Sequence, residues 1–228
     1  MMELNYDNVG REILIGCNSL IWQSLSRRPD IRNAIPHAIG HKDVKSFTFE
    51  PSDRVWILSY SRISAENFLL LGLLKSARVR QVVYFSSAAT NVTRVTRCYR
   101  YPSAKTEAAN YAKEQLNAAV VLLGLVYSER SELPGGKCAA VSIDDVAAFL
   151  LAPPIMSSKH DIRLFCIIET PFGSILEKTL HAAYSNIQRL TGRFPCILRP
   201  VDLILRMIGW RWYGYQNLSS RLWNLTTS

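Results

Sequence analysis

Asn67-Phe-Leu-Leu-Leu-Gly-Leu-Leu-Lys-Ser-Ala-Arg-Val-Arg-Gln-Val-Val-Tyr-Phe-Ser-Ser-Ala88 places a helix and a strand in succession. Phe68, Leu69, Leu71, Leu73 and Leu74 give Ala65–Arg78 the apolar body of a helix. Gln81-Val-Val-Tyr-Phe85 is a short β-branched and aromatic run, which reads as a buried strand. The run ends at Ser86-Ser87-Ala88-Ala89, so both hydroxyls fall at the C-terminal edge of that strand. Open parallel sheets bind their ligands outside that edge. Downstream lies Tyr101-Pro-Ser-Ala-Lys105. A tyrosine and a lysine at i and i+4 share one helix face. Pro102 suits a first helical turn, and Lys105 to Leu116 continues as good helix-forming sequence. An ammonium beside a phenol favours the phenolate and lowers its pKa. Tyr101 is then a general acid or base near neutral pH. A serine hydroxyl at the same point hydrogen-bonds a carbonyl or alkoxide. Together these groups outline a hydride-transfer site, provided the chain also holds a nicotinamide.

The flanking sequence repeats the same alternation. Glu12-Ile-Leu-Ile-Gly16 reads as a first buried strand, followed by a helix from about Asn18 to Arg27 that stops near Pro29. Pro36–His41 is a weaker second strand, Ser46–Phe49 another, and Asp53–Ser59 a clear one. Ala118–Tyr127 reads as one buried strand, Ser128–Lys137 as a loop and Val141–Phe149 as the start of a helix. Arg163–Ile168 then reads as a strand and Gly173–Leu190 as a helix. Strands alternating with helices imply an α/β fold, a Rossmann-like doubly wound and mostly parallel sheet covered on both faces. The expected organisation is a dinucleotide-binding domain over 1–150, interleaved with a small trimmed C-terminal substrate lobe and a basic aromatic helix over 151–228.

At 228 residues, 48% apolar and 20% charged, the chain is globular in composition and long enough for a substantial core. No apolar stretch reaches spanning length, and Met1–Asp7 lacks the basic and apolar regions of a signal peptide, so a cytoplasmic protein is expected. Cys17, Cys98, Cys138, Cys166 and Cys196 form no metal-ligand spacing and read as reduced packing thiols. The net charge of +9 favours anionic partners, but no nucleic-acid-binding motif is present, so nucleic acid is not expected. The tail from Thr191 is rich in arginine and holds a single acid, Asp202. Leu203, Ile204, Met207, Ile208 and Trp210 form one apolar face there, with Arg206 and Arg211 pointing away and Trp212, Tyr213, Tyr215 and Trp223 adding aromatic surface. Two readings stand: a helix packed over the substrate cleft, which is favoured, and peripheral contact with an anionic membrane.

From about Glu12 to Ile208 the ordered motifs resemble the extended short-chain dehydrogenase/reductase family, the NAD-dependent epimerases, dehydratases and ketoreductases acting largely on nucleotide sugars. Asn67–Ala88 is similar to the family's helix and strand leading to its active-site serine. Tyr101-Pro-Ser-Ala-Lys105 resembles its Tyr-x-x-x-Lys, Leu123-Gly-Leu-Val-Tyr127 its next strand, and Val141-Ser-Ile-Asp-Asp-Val-Ala its "V-x-V-D-D-V-A" segment. The resemblance implies Ser87, Tyr101 and Lys105 as catalytic residues. It implies Gly16, Asn18, Ser19, Leu20, Ile21, His41, Lys42, Ser59 and Lys105 as contacts to NAD or NADP. It further implies a nucleotide-sugar-like substrate and a homodimer through the helices at Ala65–Arg78 and Pro102–Leu116.

The departures carry expectations of their own. The family's Gly-x-x-Gly-x-x-Gly turn corresponds to Gly16-Cys-Asn-Ser-Leu-Ile-Trp22, in which Ser19 and Trp22 replace glycines. An indole at the third position is expected to push the helix outward. No acidic residue plainly ends the second strand, and His41 and Lys42 near that point favour the 2′-phosphate of NADP. The loop Ser128–Cys138 is far shorter than the family's substrate insertion, and Leu122 stands where an arginine is usual. Two functions follow: an NAD(P)-dependent oxidoreductase or epimerase, or a relative that has lost its cofactor and serves as a binding or scaffold protein.

Overall fold

A computed structural model describes residues 10–61, 63–154, 160–191, 197, 199–207 and 214–226. The chain divides into two compact interleaved units. Unit 1 comprises residues 1–86, 107–122 and 143–162, and unit 2 comprises residues 87–106, 123–142 and 163–228.

The central sheet is built from β1 (Glu12–Ile15), β2 (His37–Ile39), β3 (Arg54–Ile57), β4 (Gln81–Ser87), β5 (Ala119–Leu123) and β8 (Ile162–Leu164), in the order β2-β1-β3-β4-β5-β8. The pairs β1–β2, β1–β3 and β3–β4 are parallel, with Ile13 opposite His37 and Val55, and Val55 opposite Val82. Ile13, Leu14, Ile15, Val55, Trp56, Ile57, Val82 and Val83 are all buried, as strands covered on both faces require. Helices α1 (Leu20–Leu25), α2 (Pro29–Ala34), α3 (Ser64–Ser76) and α5 (Ile143–Leu151) belong wholly to this unit. Helix α4 (Arg100–Leu116) contributes its C-terminal half, where Tyr111 packs against Phe68 of α3. Both helices end on a residue in the left-handed region, Arg78 after α3 and Asn117 after α4.

Two expectations about strands are corrected in this unit. Ser46–Phe49 is not a strand; Asp43–Ser46 forms a 3-10 turn, with Val44 buried and Phe47 packed on Phe49 at 4.9 Å. Two aromatic positions offer too little alternating surface to add a strand, so β2 ends the sheet. Ala118–Tyr127 is not one strand either. It breaks at Gly124 into β5 and β6 (Leu125–Tyr127). A Cβ at Gly124 would lie 2.6 Å from the Ala139 backbone, so only glycine permits this close crossing.

Unit 2 has its own sheet, β6-β7-β9, with β7 (Gly136–Ser142) parallel to β6 and antiparallel to β9 (Cys166–Thr170). Arg163–Ile168, expected as one strand, is divided between β8 and β9. Leu133, Cys138, Ala140 and Ile168 form the local core. Helices α6 (Ile175–Thr191), α7 (Arg199–Met207) and α8 (Gly214–Thr226) complete the unit. Asn217 of α8 donates to Gln188 Oε1 of α6 at 2.8 Å, and Gln188 donates to the Gly214 carbonyl at 3.1 Å, so buried amides join the two helices.

The packing role expected of the Leu203 helix falls to α8. On α7, Leu203, Ile204 and Met207 are 59, 58 and 78% exposed. Ile208, Trp210, Arg211, Trp212, Tyr213 and Cys196 lie outside the described residues, as does the side chain of Arg206. Cys17, Cys98, Cys138 and Cys166 are free thiols. Among the described residues, no helix is long and apolar enough to cross a membrane.

Candidate active site

Unit 1 carries the candidate dinucleotide turn at the C-terminal ends of β1 and β3, where the strand order reverses. That reversal is where open sheets form their ligand crevice. Gly16 has φ +121°, and a Cβ there would lie 2.8 Å from the Ser59 nitrogen. The amides of Gly16 and Cys17 donate to the Ile39 carbonyl at 2.8 and 3.1 Å, while those of Leu58 and Ser59 donate to Ile15 at 3.0 Å. Three strand ends are thus drawn together at one glycine. Ser19 is the N-cap of α1, its hydroxyl accepting from the Trp22 amide at 3.1 Å. That bond leaves the Leu20 and Ile21 amides as the first-turn donors with no acceptor inside the helix. Trp22, which stands at the third glycine position of that turn, is 6% exposed and packs in the core of the unit.

The groups at the end of β2 also differ from expectation. His41 Nδ1 lies 2.9 Å from Ser59 Oγ, so these two candidate contacts meet directly. Burial lowers the His41 pKa despite the nearby Glu66 carboxylate, so its ring is neutral at neutral pH and is not a cation for a 2′-phosphate. Lys42 is exposed and begins the 3-10 turn. A carboxylate does stand here: Asp43 turns back onto Gly40, its amide donating to the Gly40 carbonyl at 3.1 Å. A Cβ at Gly40 would meet Asp43 Oδ2 and lie 3.3 Å from Asn18 Nδ2. Asp43 sits beyond the strand, and only the 3-10 turn folds it back to the strand end. The open Leu20 and Ile21 amides suit a diphosphate and the Asp43–Asn18 pair suits a ribose, so the residues present fit a dinucleotide.

Unit 2 brings Ser87, Tyr101 and Lys105 together. Ser87 ends β4 and caps the 3-10 turn Ala88–Arg94, accepting from the Ala89 amide at 3.2 Å. Tyr101, in the first turn of α4, forms a hydrogen bond with the Ser87 side chain. Lys105 lies one turn further on and is 5% exposed. Ser86 lies in unit 1, with its hydroxyl buried and without a hydrogen-bond partner.

The electrostatics reverse the expectation for the tyrosine. Burial raises the Tyr101 pKa, and the Ser87 hydrogen bond offsets this only in part. Burial also drives the Lys105 ammonium down to about 7. A lysine that is only partly protonated at neutral pH lends the phenol little field. Dehydration is the leading cause for both groups, and it disfavours the charged form of each. The resting tyrosine is therefore a neutral phenol, prepared to donate a proton.

Helix α8 carries Tyr215 and Trp223, expected from the sequence as aromatic surface, and adds Gln216, Asn217, Ser219 and Ser220, which the sequence did not single out. Ser219 Oγ and Trp223 Nε1 both donate to the Ala88 carbonyl, at 3.0 and 2.8 Å, and Asn91 Nδ2 donates to the Ser219 carbonyl at 3.0 Å. Arg163 lies over the Trp223 ring at 4.6 Å. Thus anchored, α8 stacks Tyr215 on Tyr101 with ring centroids 5.6 Å apart and planes at 26°. Ser87, Tyr101, Gly124, Tyr215, Gln216 and Ser220 line a cavity of about 190 Å³. Cys138 also lines it, but burial pushes that thiol up to about 11, which makes it inert as a nucleophile near neutral pH. The spacing of Tyr215, Leu218 and Leu222 is the sequence signal for this helix.

No protein-family model and no curated protein matches this sequence. Solved structures do. An epimerase from the thermophilic methanogen Methanothermobacter thermautotrophicus superposes with a TM-score of 0.52 at 12% identity, covering 69% of this chain and 72% of that one. The capsular polysaccharide assembling protein CapF of Staphylococcus aureus gives a TM-score of 0.51 at 11% identity, covering 77% of this chain and 57% of that one. What these two share with this chain is the Rossmann-like fold, a parallel six-stranded sheet with flanking helices. A short-chain dehydrogenase/reductase from Veillonella parvula is also similar, with a TM-score of 0.47 at 13% identity over 73% of this chain and 99% of that one. At such identities the Rossmann-like architecture is shared, while substrate and partners rest on this chain's own residues.

Proposed function

We propose that this protein is an NAD(P)-dependent oxidoreductase or epimerase acting on a carbonyl or alcohol substrate, with Tyr101 as its proton-transfer group. The observation that carries this reading is the Ser87–Tyr101 hydrogen bond at the cavity, with Lys105 buried one turn away. The bound nicotinamide would supply or accept the hydride. Ser87 holds the substrate oxygen. The Tyr101 O–H bond breaks as its proton passes to the developing alkoxide, a role suited to a phenol whose pKa is raised. Gly16, Asn18, Ser19, Leu20 and Ile21 would hold the dinucleotide, with Asp43 and Lys42 as the charges available to choose between NAD and NADP.

A thermal-shift titration with NAD, NADH, NADP and NADPH tests this. Saturation at a hundred times the dissociation constant stabilises a protein by about 2.7 kcal/mol, so one cofactor is expected to raise the melting temperature clearly. No shift with any of the four removes this reading and leaves the scaffold role.

The exposed row on α7 favours a second property, contact with an anionic membrane. Leu203, Ile204 and Met207 face outward beside Arg199, in a tail whose single acid is Asp202. Apolar residues flanked by cations suit the lipid interface. In flotation with phosphatidylserine vesicles, the wild type is expected to float and Leu203→Asn/Ile204→Asn/Met207→Asn to remain in the dense fraction. Equal flotation of the two sinks the proposal.

A further inference from the structure

The cavity in unit 2 has a chemical character that the resemblance does not account for. Among the described residues its polar side chains are uncharged: the hydroxyls of Ser87, Tyr101, Tyr215, Ser219 and Ser220, the amide of Gln216 and the thiol of Cys138. Among the described residues no lysine, arginine or histidine lines it. At about 190 Å³ it is also smaller than the roughly 300–1,000 Å³ of pockets that enclose drug-sized ligands. The segment that follows β6 adds no anion site. Ser128–Glu132 holds two acids against the single cation Arg130, and Glu132 accepts from the Ser128 amide at 3.0 Å.

Gln216 is the distinctive group. It lies two residues into α8, half-buried, with its side-chain amide making no hydrogen bond among the described residues. Its backbone carbonyl already accepts from Ser220 Oγ at 2.9 Å. An amide presents donors and an acceptor together, which is what vicinal hydroxyls need. The stacked rings of Tyr215 and Tyr101 supply an apolar wall against which a C–H face packs. Among the described lining residues a diphosphate meets no cation to offset the loss of its hydration.

From this lining we infer that the protein takes a free, uncharged, hydroxylated substrate of about the size of a monosaccharide, held by Gln216 and Ser220, and not a nucleotide-linked sugar. The inference rests on the oxidoreductase or epimerase reading for its chemistry, but binding can be measured without turnover.

The test is saturation-transfer NMR on the full chain with D-glucose and with UDP-glucose, using wild type, Gln216→Leu and Gln216→Asn. D-glucose is expected to receive saturation from the wild type. Gln216→Leu should weaken its binding at least fivefold, Gln216→Asn should restore part of it, and the uracil protons of UDP-glucose should receive none. UDP-glucose binding tenfold tighter than glucose through its nucleotide overturns the inference. So does glucose binding that Gln216→Leu leaves unchanged in a variant of wild-type melting temperature, or the absence of glucose binding to the wild type. These outcomes are independent of the cofactor titration, whose failure removes the hydride chemistry and leaves the sugar site to stand or fall alone.

Discussion

Tyr101→Phe is expected to lower turnover by roughly 10²–10⁴-fold, the usual contribution of a positioned acid or base. The substitution removes one oxygen from a partly buried ring and leaves the packing on Tyr215 in place. Loss of the Ser87 hydrogen bond should cost only about 1 kcal/mol of stability. The variant should therefore fold, bind cofactor and show the wild-type thermal shift while turning over almost nothing. Steady-state kinetics beside the cofactor titration separates the two effects. A variant that retains most of its activity shows that the proton moves by another route. The pH profile adds a second reading, because burial raises the phenol pKa. Reduction, which needs the protonated phenol, should persist through neutral pH and fall only on the alkaline side.

The part of this site that could be read in the sequence is the part governed by local pattern. The α3 apolar run, the β4 run and the Tyr101–Lys105 spacing sit within forty residues, and their periodicities fix which faces meet. Gly16 is legible because it directly follows the apolar run of β1, although the approach of Ser59 that requires a glycine there is non-local. The electrostatics were not legible, because the Tyr101 and Lys105 pKa values are set by burial, which spacing does not report. The break at Gly124 depends on the backbone of Ala139, a non-local approach that the unbroken apolar run conceals. The buried polar side of helix α8 was hidden by its composition. Asn217, Ser219 and Ser220 are buried and polar, an inversion of the amphipathic pattern that makes helices visible. Their polarity is used against equally hidden partners, Gln188 and the Ala88 carbonyl, so neither side of the pairing announces itself.

Lys105→Met should raise stability near neutral pH while removing the amine that lies one helical turn from Tyr101. The lysine is fully buried, and its pKa in the fold is about 7 against an ordinary value of 10.5. Between those values the unfolded chain binds a proton that the native protein does not. Stability therefore rises with pH through that window, by up to about 1.4 kcal/mol per pH unit. Below pH 7 both states are protonated, and the contribution of this group no longer changes with pH. Other groups bound the useful range. Lowered His41 and His181 titrate on the acid side, while raised Cys138 and Tyr101 pull stability down on the alkaline side. Between pH 7 and 9 the lysine dominates. Over those two units the wild type should gain roughly 2 kcal/mol relative to Lys105→Met, or about 4–8 °C in melting temperature for a chain of this size. The variant should melt higher at pH 7 and show a flatter profile. Parallel melting curves across that range would mean that the ammonium is stabilised inside the fold and that Lys105 keeps an ordinary pKa. An active site that keeps a charge at such cost is destabilised for its chemistry, so a gain in stability from Lys105→Met that accompanies a loss of turnover would mark Lys105 as retained for catalysis and not for folding.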